Sequence, residues 1–252
     1  MCGAYFLQQS PTLRAHFGIQ SKEDLAEFVL RSDDVDPLRL FEGEDQALLQ
    51  LFRPTDQVPF LARDRAGEWV GLTGTWWLAM DRDGDQWRPN QQLATFNSRI
   101  DKVVSSGRTI HSMPPRSFRV LLPASGFVEW HNKQPHLFRR ADGRALMLGG
   151  MAKAYEKTNR EGEDGGKQYQ YAVSIVTLPG HPKTRHVHEK SVPLMLADDQ
   201  IDAWLDRRRP HRDFAYLQTP QIPFELEIQA VQDLKAMAPI ASPETIAADP
   251  KA

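Results

Sequence analysis

A series of short β-type segments between residues 118 and 178 constrains the fold more than any other feature of the sequence. The segments are rich in Val, Ile, Leu and aromatic residues and are separated by Gly, Pro, Asn and Asp. They cover residues 118–123, 126–130, 137–139, 145–151 and 171–178. Segments of this length bury little surface alone, so neighbouring strands must pair into a sheet. The sequence therefore predicts an α+β domain that is mostly strand.

Helical patterns occur at fewer places. Ser21 is a plausible N-cap for an amphipathic helix, and residues 44–51 and 198–207 have apolar residues at helical spacing. Residues 81–92 are polar and contain glycine and proline, so we expect a loop there. The Ala-Asp-Gly tripeptide at 141–143 predicts a hairpin turn between the strands on either side.

The size and composition predict a single domain. The chain has 252 residues, and we expect residues 1–238 to form the domain and residues 239–252 to be a disordered tail. One cysteine allows no internal disulfide, and no apolar stretch approaches the length of a membrane span. These features predict a cytoplasmic monomer without a membrane partner. The net charge of -2 argues against a protein that coats duplex DNA by charge alone.

The sole cysteine, Cys2, directly follows the initiator methionine. If Met1 is removed, Cys2 presents an α-amine and a thiol on adjacent carbons. Such a 1,2-aminothiol condenses with an aldehyde, first to an imine and then to a five-membered thiazolidine. The reference pKa values, roughly 8 for the amine and about 8.5 for the thiol, suit this reaction near neutral pH. Taken alone, Cys2 is more readily explained as a small residue beside the start codon, and the chemical interpretation depends on the rest of the sequence.

Four sequence blocks resemble the SRAP (SOS-response-associated peptidase) family. They stand in the family's order and read MCG (1–3), TFNSRID (95–101), LPASGFVEW (122–130) and, after Thr177, HEKSVPLML (188–196). A weaker block, GLTGTW (71–76), is similar to the family's W-G-L-I-P-x-W. The resemblance implies a mostly antiparallel, twisted sheet or partial barrel with peripheral helices. It also implies a protein that processes abasic sites in single-stranded DNA and needs no cofactor.

The resemblance implies a catalytic cleft in which the first residue meets three side chains. In this sequence they are Asn97, Glu129 and His188, and they act together with Cys2. Asn97 would orient the amine, while Glu129 and His188 would move protons during imine formation and sugar-ring opening. An extra residue before Pro193 leaves His186 as an alternative to His188.

Other residues are candidates for DNA contacts. Arg99 and Lys190 could bind phosphates, and Trp76 or Trp77 could stack on a base. Each could also have an ordinary role, as a solvated charge or as part of the core. The complete set of candidate DNA-binding residues is Arg99, Trp76, Trp77, Lys190 and Thr177. Ala4 stands where the family usually has Arg, which removes one phosphate partner.

Three activities remain open at this point. The resemblance implies covalent capture of abasic DNA through Cys2, with removal of the protein's own first residue and a β-lyase side reaction. An N-terminal-nucleophile hydrolase or a non-catalytic single-strand binding module would use some of the same residues. A metal site at His181, His186 and His188 is disfavoured because there is no second thiol, so we expect no metal.

Overall fold

Strands dominate the computed structural model, which describes residues 3–8, 49–157 and 168–250. Two short helices, Ile100–Val103 and Ile201–Leu205, and 3-10 turns at Pro182–Thr184, Asp198–Gln200 and His211–Gln218 accompany them. The strands are β1 Ala4–Gln8, β2 Leu49–Phe52, β3 Gln57–Arg63, β4 Trp69–Thr75, β5 Met80–Asp83, β6 Gln86–Pro89, β7 Asn97–Arg99, β8 Phe118–Ala124, β9 Gly126–His131, β10 Gln134–Arg140, β11 Leu146–Glu156, β12 Tyr169–Pro179, β13 Ser191–Pro193, β14 Leu226–Ala230 and β15 Glu244–Ile246.

Five of these strands close into a barrel. The order is β11-β8-β3-β4-β12, and pairing between β12 and β11 completes the ring. The β4–β12 pairing is parallel, whereas the other four are antiparallel. At Gly150 of β11, an added Cβ would lie 2.1 Å from Leu122 Cδ1 of β8 and 3.0 Å from the carbonyl oxygen of Ser174 on β12, so the glycine leaves room for both neighbouring strands. The barrel strands contribute apolar side chains such as Phe60, Leu121 and Ile175 to the main core, all fully buried.

A six-stranded antiparallel sheet packs beside the barrel in the order β15-β14-β10-β9-β1-β2. The chain passes from the barrel to this sheet at Ser125, between β8 and β9. Tyr5 of β1 and Phe127 of β9 are directly paired and belong to the same main core as the barrel residues. The two sheets therefore share one hydrophobic core, and the predicted α+β fold with a mostly antiparallel sheet is confirmed.

The strands expected between residues 118 and 178 are all present, but their pairing corrects one prediction. The turn at 141–143 does not join a hairpin, although Gly143 has the left-handed φ of +74° that the turn signal predicts. β10 pairs with β9 and β14, whereas β11 pairs with β8 and β12. The turn thus carries the chain from one sheet to the other.

Residues 81–92 are not the loop that their polarity predicts. They contain most of the β5–β6 hairpin, which turns at Gly84 with φ +61°. The side chains of the hairpin are mostly exposed, and its strands therefore lack the apolar alternation that would have predicted them. Gln170 holds the hairpin to β12: its side-chain amide accepts from Trp87 N (3.1 Å) and donates to Trp87 O (2.7 Å).

The expected disordered tail at residues 239–252 is also corrected for the part that the structure describes, up to residue 250. β15 pairs with β14, and Ile246 is buried against the core. Asp249 accepts a hydrogen bond from the Ile222 N–H at 2.8 Å. In the described part of this segment, Ile246 is the buried apolar side chain and β15 is hydrogen-bonded to β14, so the segment is attached to the sheet.

Two expected helices fall wholly or partly in the undescribed ranges. The helix after Ser21 lies outside the described residues, as does most of the segment 44–51. Its last residues belong to β2, which pairs with β1, so that end is strand and not helix. The helix expected at 198–207 is present as a 3-10 turn followed by Ile201–Leu205, with Trp204 fully buried. In the described ranges, no helix has the length and apolar character required to cross a bilayer.

Candidate active site

Glu129 is a carboxylic acid at the centre of a buried strand. It lies on β9, where its side chain is 2 % exposed. Side chains alternate along a strand, so the Glu129 side chain lies on the same face of β9 as that of Phe127, which belongs to the main core. The Val128 side chain lies on the other face. Burial raises its pKa from 4.5 to about 7, because the charged form loses solvation. Glu129 can therefore gain and lose a proton near neutral pH.

His188 reaches Glu129 from a distant part of the chain. It lies in the segment between β12 and β13, residues 181–190, which we term the histidine loop. His188 Nδ1 is 3.5 Å from Glu129 Oε2. Burial lowers the pKa of His188, and a hydrogen bond with the Trp130 backbone opposes that shift. A carboxyl with a raised pKa and an imidazole with a lowered one can exchange protons at neutral pH.

The other two histidines of the loop have different partners. His186 Nε2 is 2.7 Å from Glu244 Oε2 of β15, on the outside of the protein. His181 is buried, and its Nε2 lies 2.9 Å from Asp249 Oδ2. Of the two alternatives from the sequence, His188 is therefore the residue that contacts Glu129.

Gly180, which the sequence did not single out, permits the path of the histidine loop. An added Cβ at this position would lie 1.8 Å from the carbonyl oxygen of Glu189. The two ends of the loop thus cross at a distance that only glycine allows. Because Glu189 follows His188 directly, this crossing helps to fix where His188 lies.

Asn97 is placed by a buried tryptophan. It begins β7, which pairs in parallel with β12 so that Asn97 is opposite Ile175. Trp76 Nε1 donates to the carbonyl of Phe96 at 2.8 Å, and the Trp76 ring packs on Tyr5 of β1 with ring centroids 5.1 Å apart. Trp76 thus links the start of β7 to β1, the strand that runs beside Glu129.

The burial of both tryptophans bears on their expected DNA contact. Trp76 is fully buried and Trp77 is 7 % exposed, with its Nε1 donating to Asn90 O at 3.0 Å. In this arrangement neither ring presents a face on which a base could stack. The observed positions favour the core-packing interpretation that the sequence left open.

The remaining DNA-contact candidates differ in exposure. Arg99 has a side chain that is 75 % exposed and makes two hydrogen bonds to Asp101, at 3.0 and 3.1 Å. Lys190, at the end of the histidine loop, is exposed. Thr177 is buried on β12, opposite Arg99 on one side and Pro193 on the other. The side chains of Arg99 and Lys190 are accessible to a ligand. Thr177 is not: it lies on β12 between β7, which carries Arg99, and β13, which follows the histidine loop.

Cys2 lies outside the described residues. The described chain begins at Gly3, and the next residue, Ala4, pairs with Val128, the neighbour of Glu129. The first described residues therefore run alongside the segment that contains Glu129. Among the residues that the structure describes, no group of three His, Cys, Asp or Glu side chains is arranged to hold a metal ion.

Comparisons with known structures support the fold. A Bordetella bronchiseptica protein has a TM-score of 0.58 at 18 % identity and covers 92 % of this chain and 100 % of its own. A Bacteroides thetaiotaomicron protein gives 0.55 at 14 %, with 91 % and 92 % covered. A phage-related protein from Bordetella bronchiseptica gives 0.53 at 14 %, with 96 % and 100 % covered. At these identities the similarity concerns the fold alone.

Comparison of the sequence with family models identifies the family, whereas a search of curated proteins gives no match. The model of the SOS response associated peptidase (SRAP) matches residues 1–234. The matched segment includes the start of the chain, β7, β9 and the histidine loop. This chain belongs to the SOS response associated peptidase family.

Proposed function

We propose that this protein captures abasic sites in single-stranded DNA by forming a covalent thiazolidine through Cys2, after removal of Met1. The observation that carries the proposal is the Glu129–His188 pair, which joins two distant segments at 3.5 Å. Glu129 lies on β9, the strand that runs beside the first described residues of the chain. A carboxyl with a pKa of about 7 has few structural uses there, but it suits proton transfer to and from an amine.

The proposed reaction has three steps. Hydrolysis of the Met1–Cys2 peptide bond consumes one water and frees the Cys2 α-amine. The amine attacks the aldehyde of the open-chain abasic sugar, and the carbinolamine loses water to give an imine. The thiol sulfur then adds to the imine carbon, while the nitrogen takes up a proton. The condensation of protein and DNA therefore releases one water and requires no cofactor.

Glu129 and His188 divide the proton transfers in this proposal. The ionised Glu129 accepts a proton from the attacking amine, and its acid form returns one to the departing hydroxyl. His188, whose pKa is lowered by burial, is a neutral base near neutral pH and can exchange a proton with the sugar ring oxygen. Asn97 would orient the amine through its side-chain amide.

DNA binding would rely on local contacts in a protein of net charge -2. Arg99 is the last residue of β7, and Lys190 directly precedes β13; both strands pair with β12. Both side chains are exposed, and they are the proposed phosphate contacts. Asp101 shares the guanidinium of Arg99, so a phosphate would have to compete with that carboxylate. Exposed ion pairs of this kind contribute only about 0–1 kcal/mol, which a phosphate can replace.

The test is a denaturing gel after incubation with single-stranded DNA that carries one abasic site. Wild-type protein should give a stable, slowly migrating adduct, and Cys2→Ala should give none. His188→Ala should form the adduct more slowly while remaining folded. Salt-sensitive binding without an adduct would instead indicate a binding module, and turnover of a peptide substrate without an adduct would indicate a hydrolase.

A further inference from the structure

The histidine loop contains little regular structure that could hold His188 in place. Its single 3-10 turn, Pro182–Thr184, is followed by backbone hydrogen bonds from Val187 and His188 to the Thr184 carbonyl, both at 3.0 Å. Beyond these bonds the loop depends on contacts with other segments. Among the described residues, several of these contacts come from residues 244–250, which we term the C-terminal strap.

Within the described chain, Asp249 of the strap has three polar partners, two of which lie in the first turn of the loop. Its carboxylate lies 2.9 Å from His181 Nε2 and 2.7 Å from Lys183 Nζ. It also accepts the Ile222 N–H at 2.8 Å, which ties the same group to the body of the protein. Burial raises the pKa of Asp249, but hydrogen bonds, first from Lys183, outweigh it and hold the pKa below its usual value. Asp249 is therefore ionised at neutral pH.

Further contacts extend along the strap. Lys183 Nζ donates to the carbonyls of Ala247 and Ala248, at 2.8 and 3.2 Å. Glu244 Oε2 lies 2.7 Å from His186 Nε2, two residues before His188. The strap thus contacts three side chains of the loop, those of His181, Lys183 and His186.

The strap also contributes a strand, β15, to the sheet that carries Glu129. β15, at the start of the strap, pairs with β14, which pairs with β10 and through it with β9. Ile246 is opposite Leu226 in this register and is buried. The strap therefore connects the two segments whose meeting forms the Glu129–His188 pair.

We propose that Asp249 and Glu244 are positioning residues that hold the histidine loop so that His188 stays within reach of Glu129. The inference rests on the proposed function for its catalytic consequence. The strap follows residue 234, where the match to the family model ends. The position of His188, which lies inside the segment that matches the family model, would thus depend on the C-terminal strap, which lies outside that segment.

The experiment compares Asp249→Asn and Glu244→Gln with a control, Asp85→Asn. The control also removes one negative charge, but at the exposed turn between β5 and β6, which is distant in sequence from both the strap and the histidine loop. Loop order is measured without DNA, by hydrogen exchange at residues 184–188 and by trypsin cleavage after the exposed Arg185. Crosslinking is measured as a single-turnover rate at saturating DNA, together with DNA affinity and the urea midpoint. Asp249→Glu tests whether a carboxylate restores the contact.

In Asp249→Asn we expect loop exchange and cleavage to rise several-fold, and the crosslinking rate to fall about tenfold through lost orientation, with DNA affinity unchanged. Glu244→Gln should show the same changes at smaller size, and Asp249→Glu should recover part of both. The proposal is overturned if loop order is unchanged in Asp249→Asn, or if Asp85→Asn loses as much activity. Wild-type protein that never crosslinks would refute the proposed function, while the exchange data would still decide whether the strap orders the loop.

Discussion

Two buried charged groups lie on consecutive strands, and they differ in what burial does to them. Arg119 on β8 is 5 % exposed, and Glu129 on β9 is 2 % exposed. Burial lowers the pKa of Arg119 to about 10 and raises the pKa of Glu129 to about 7. Arg119 thus keeps its charge at neutral pH, whereas Glu129 can change its charge there. A buried ionisable group suits proton transfer only when its shifted pKa lies near the working pH.

The surroundings explain this difference. The Arg119 guanidinium donates to three backbone carbonyls, those of Trp204, Asp206 and Arg209, and it lies 4.5 Å from the ring centre of Phe214. These acceptors compensate for lost solvation and join the helix Ile201–Leu205 to the barrel. Glu129 has an imidazole as its near neighbour at 3.5 Å, a group that itself titrates. We infer a structural role for Arg119 and a chemical one for Glu129.

The largest effect should follow Arg119→Ala. Removal of the guanidinium leaves buried carbonyls without donors, so the free energy of unfolding should fall by about 3–5 kcal/mol. Urea denaturation measures this loss, and Arg208→Ala at an exposed position is the control. Crosslinking by the folded fraction should be nearly normal. A folded-state rate as low as that of a Glu129 variant would remove the contrast between the two groups.

Glu129→Gln should have the opposite profile. Crosslinking should slow by about 100-fold or more, because a general acid–base group is lost. The wild-type rate should rise with pH through about 7, and this inflection should disappear in the variant. A pH–rate profile under single-turnover conditions measures both. An unchanged inflection in Glu129→Gln would assign the titration to another group.

The same substitution should stabilise the protein in mild base. The folded-state pKa of Glu129 lies above 4.5, so its contribution to stability is present below about pH 4.5 and is lost as the pH rises through about 7. The shift corresponds to at most about 3 kcal/mol at pH 8. Urea midpoints at pH 5 and pH 8 should therefore differ less in Glu129→Gln than in wild type. If the urea midpoint changes equally between pH 5 and pH 8 in the variant and in wild type, the ionised Glu129 does not destabilise the folded protein.

The strands could be predicted from the sequence, but the way they pair could not. Alternation and turn residues located β8, β9, β11 and β12 within a few residues. Closure of the barrel depends on the parallel β4–β12 contact, which joins residues 75 and 172. No local sequence pattern encodes a pairing between residues so far apart. The hairpin predicted at 141–143 was wrong because the residues of a turn do not specify which sheet the next strand enters.

For the site, the family blocks indicated Glu129, but its burial and raised pKa follow from the side of β9 on which it lies, facing the main core. The choice between His186 and His188 required the path of the histidine loop. That path depends on Gly180, whose importance is visible only from the carbonyl of Glu189 beside it. The apolar rings of Trp76 and Trp77 were compatible with either a base platform or a core, and only their burial distinguishes the two.

A smaller effect is expected for Gly180→Ala. The new methyl group would collide with the Glu189 carbonyl, and relief of the clash should cost about 1–3 kcal/mol and displace His188. Crosslinking should fall while the barrel remains intact by circular dichroism. Gly107→Ala is the matched control, because its added Cβ would meet only the Ser105 hydroxyl at 3.3 Å. Wild-type crosslinking in Gly180→Ala would show that the loop position is not critical.

The smallest effects concern Arg99 and its partner. Arg99→Ala should weaken DNA binding modestly and reduce the slope of log affinity against log salt by about 0.7–0.9. Asp101→Asn should have the opposite effect, since it releases the guanidinium for phosphate. Fluorescence anisotropy over a salt series measures both. Identical slopes in the two variants and wild type would place the phosphate contacts elsewhere.

The most direct test of the central claim is the intact mass of the protein–DNA adduct, followed by peptide mapping of its protein component. The account predicts a mass equal to the protein without Met1 plus the abasic oligonucleotide minus one water, with the modification at Cys2. It also predicts no such species when Met1 is retained. An adduct that contains Met1, or one attached at any residue other than Cys2, would contradict the account.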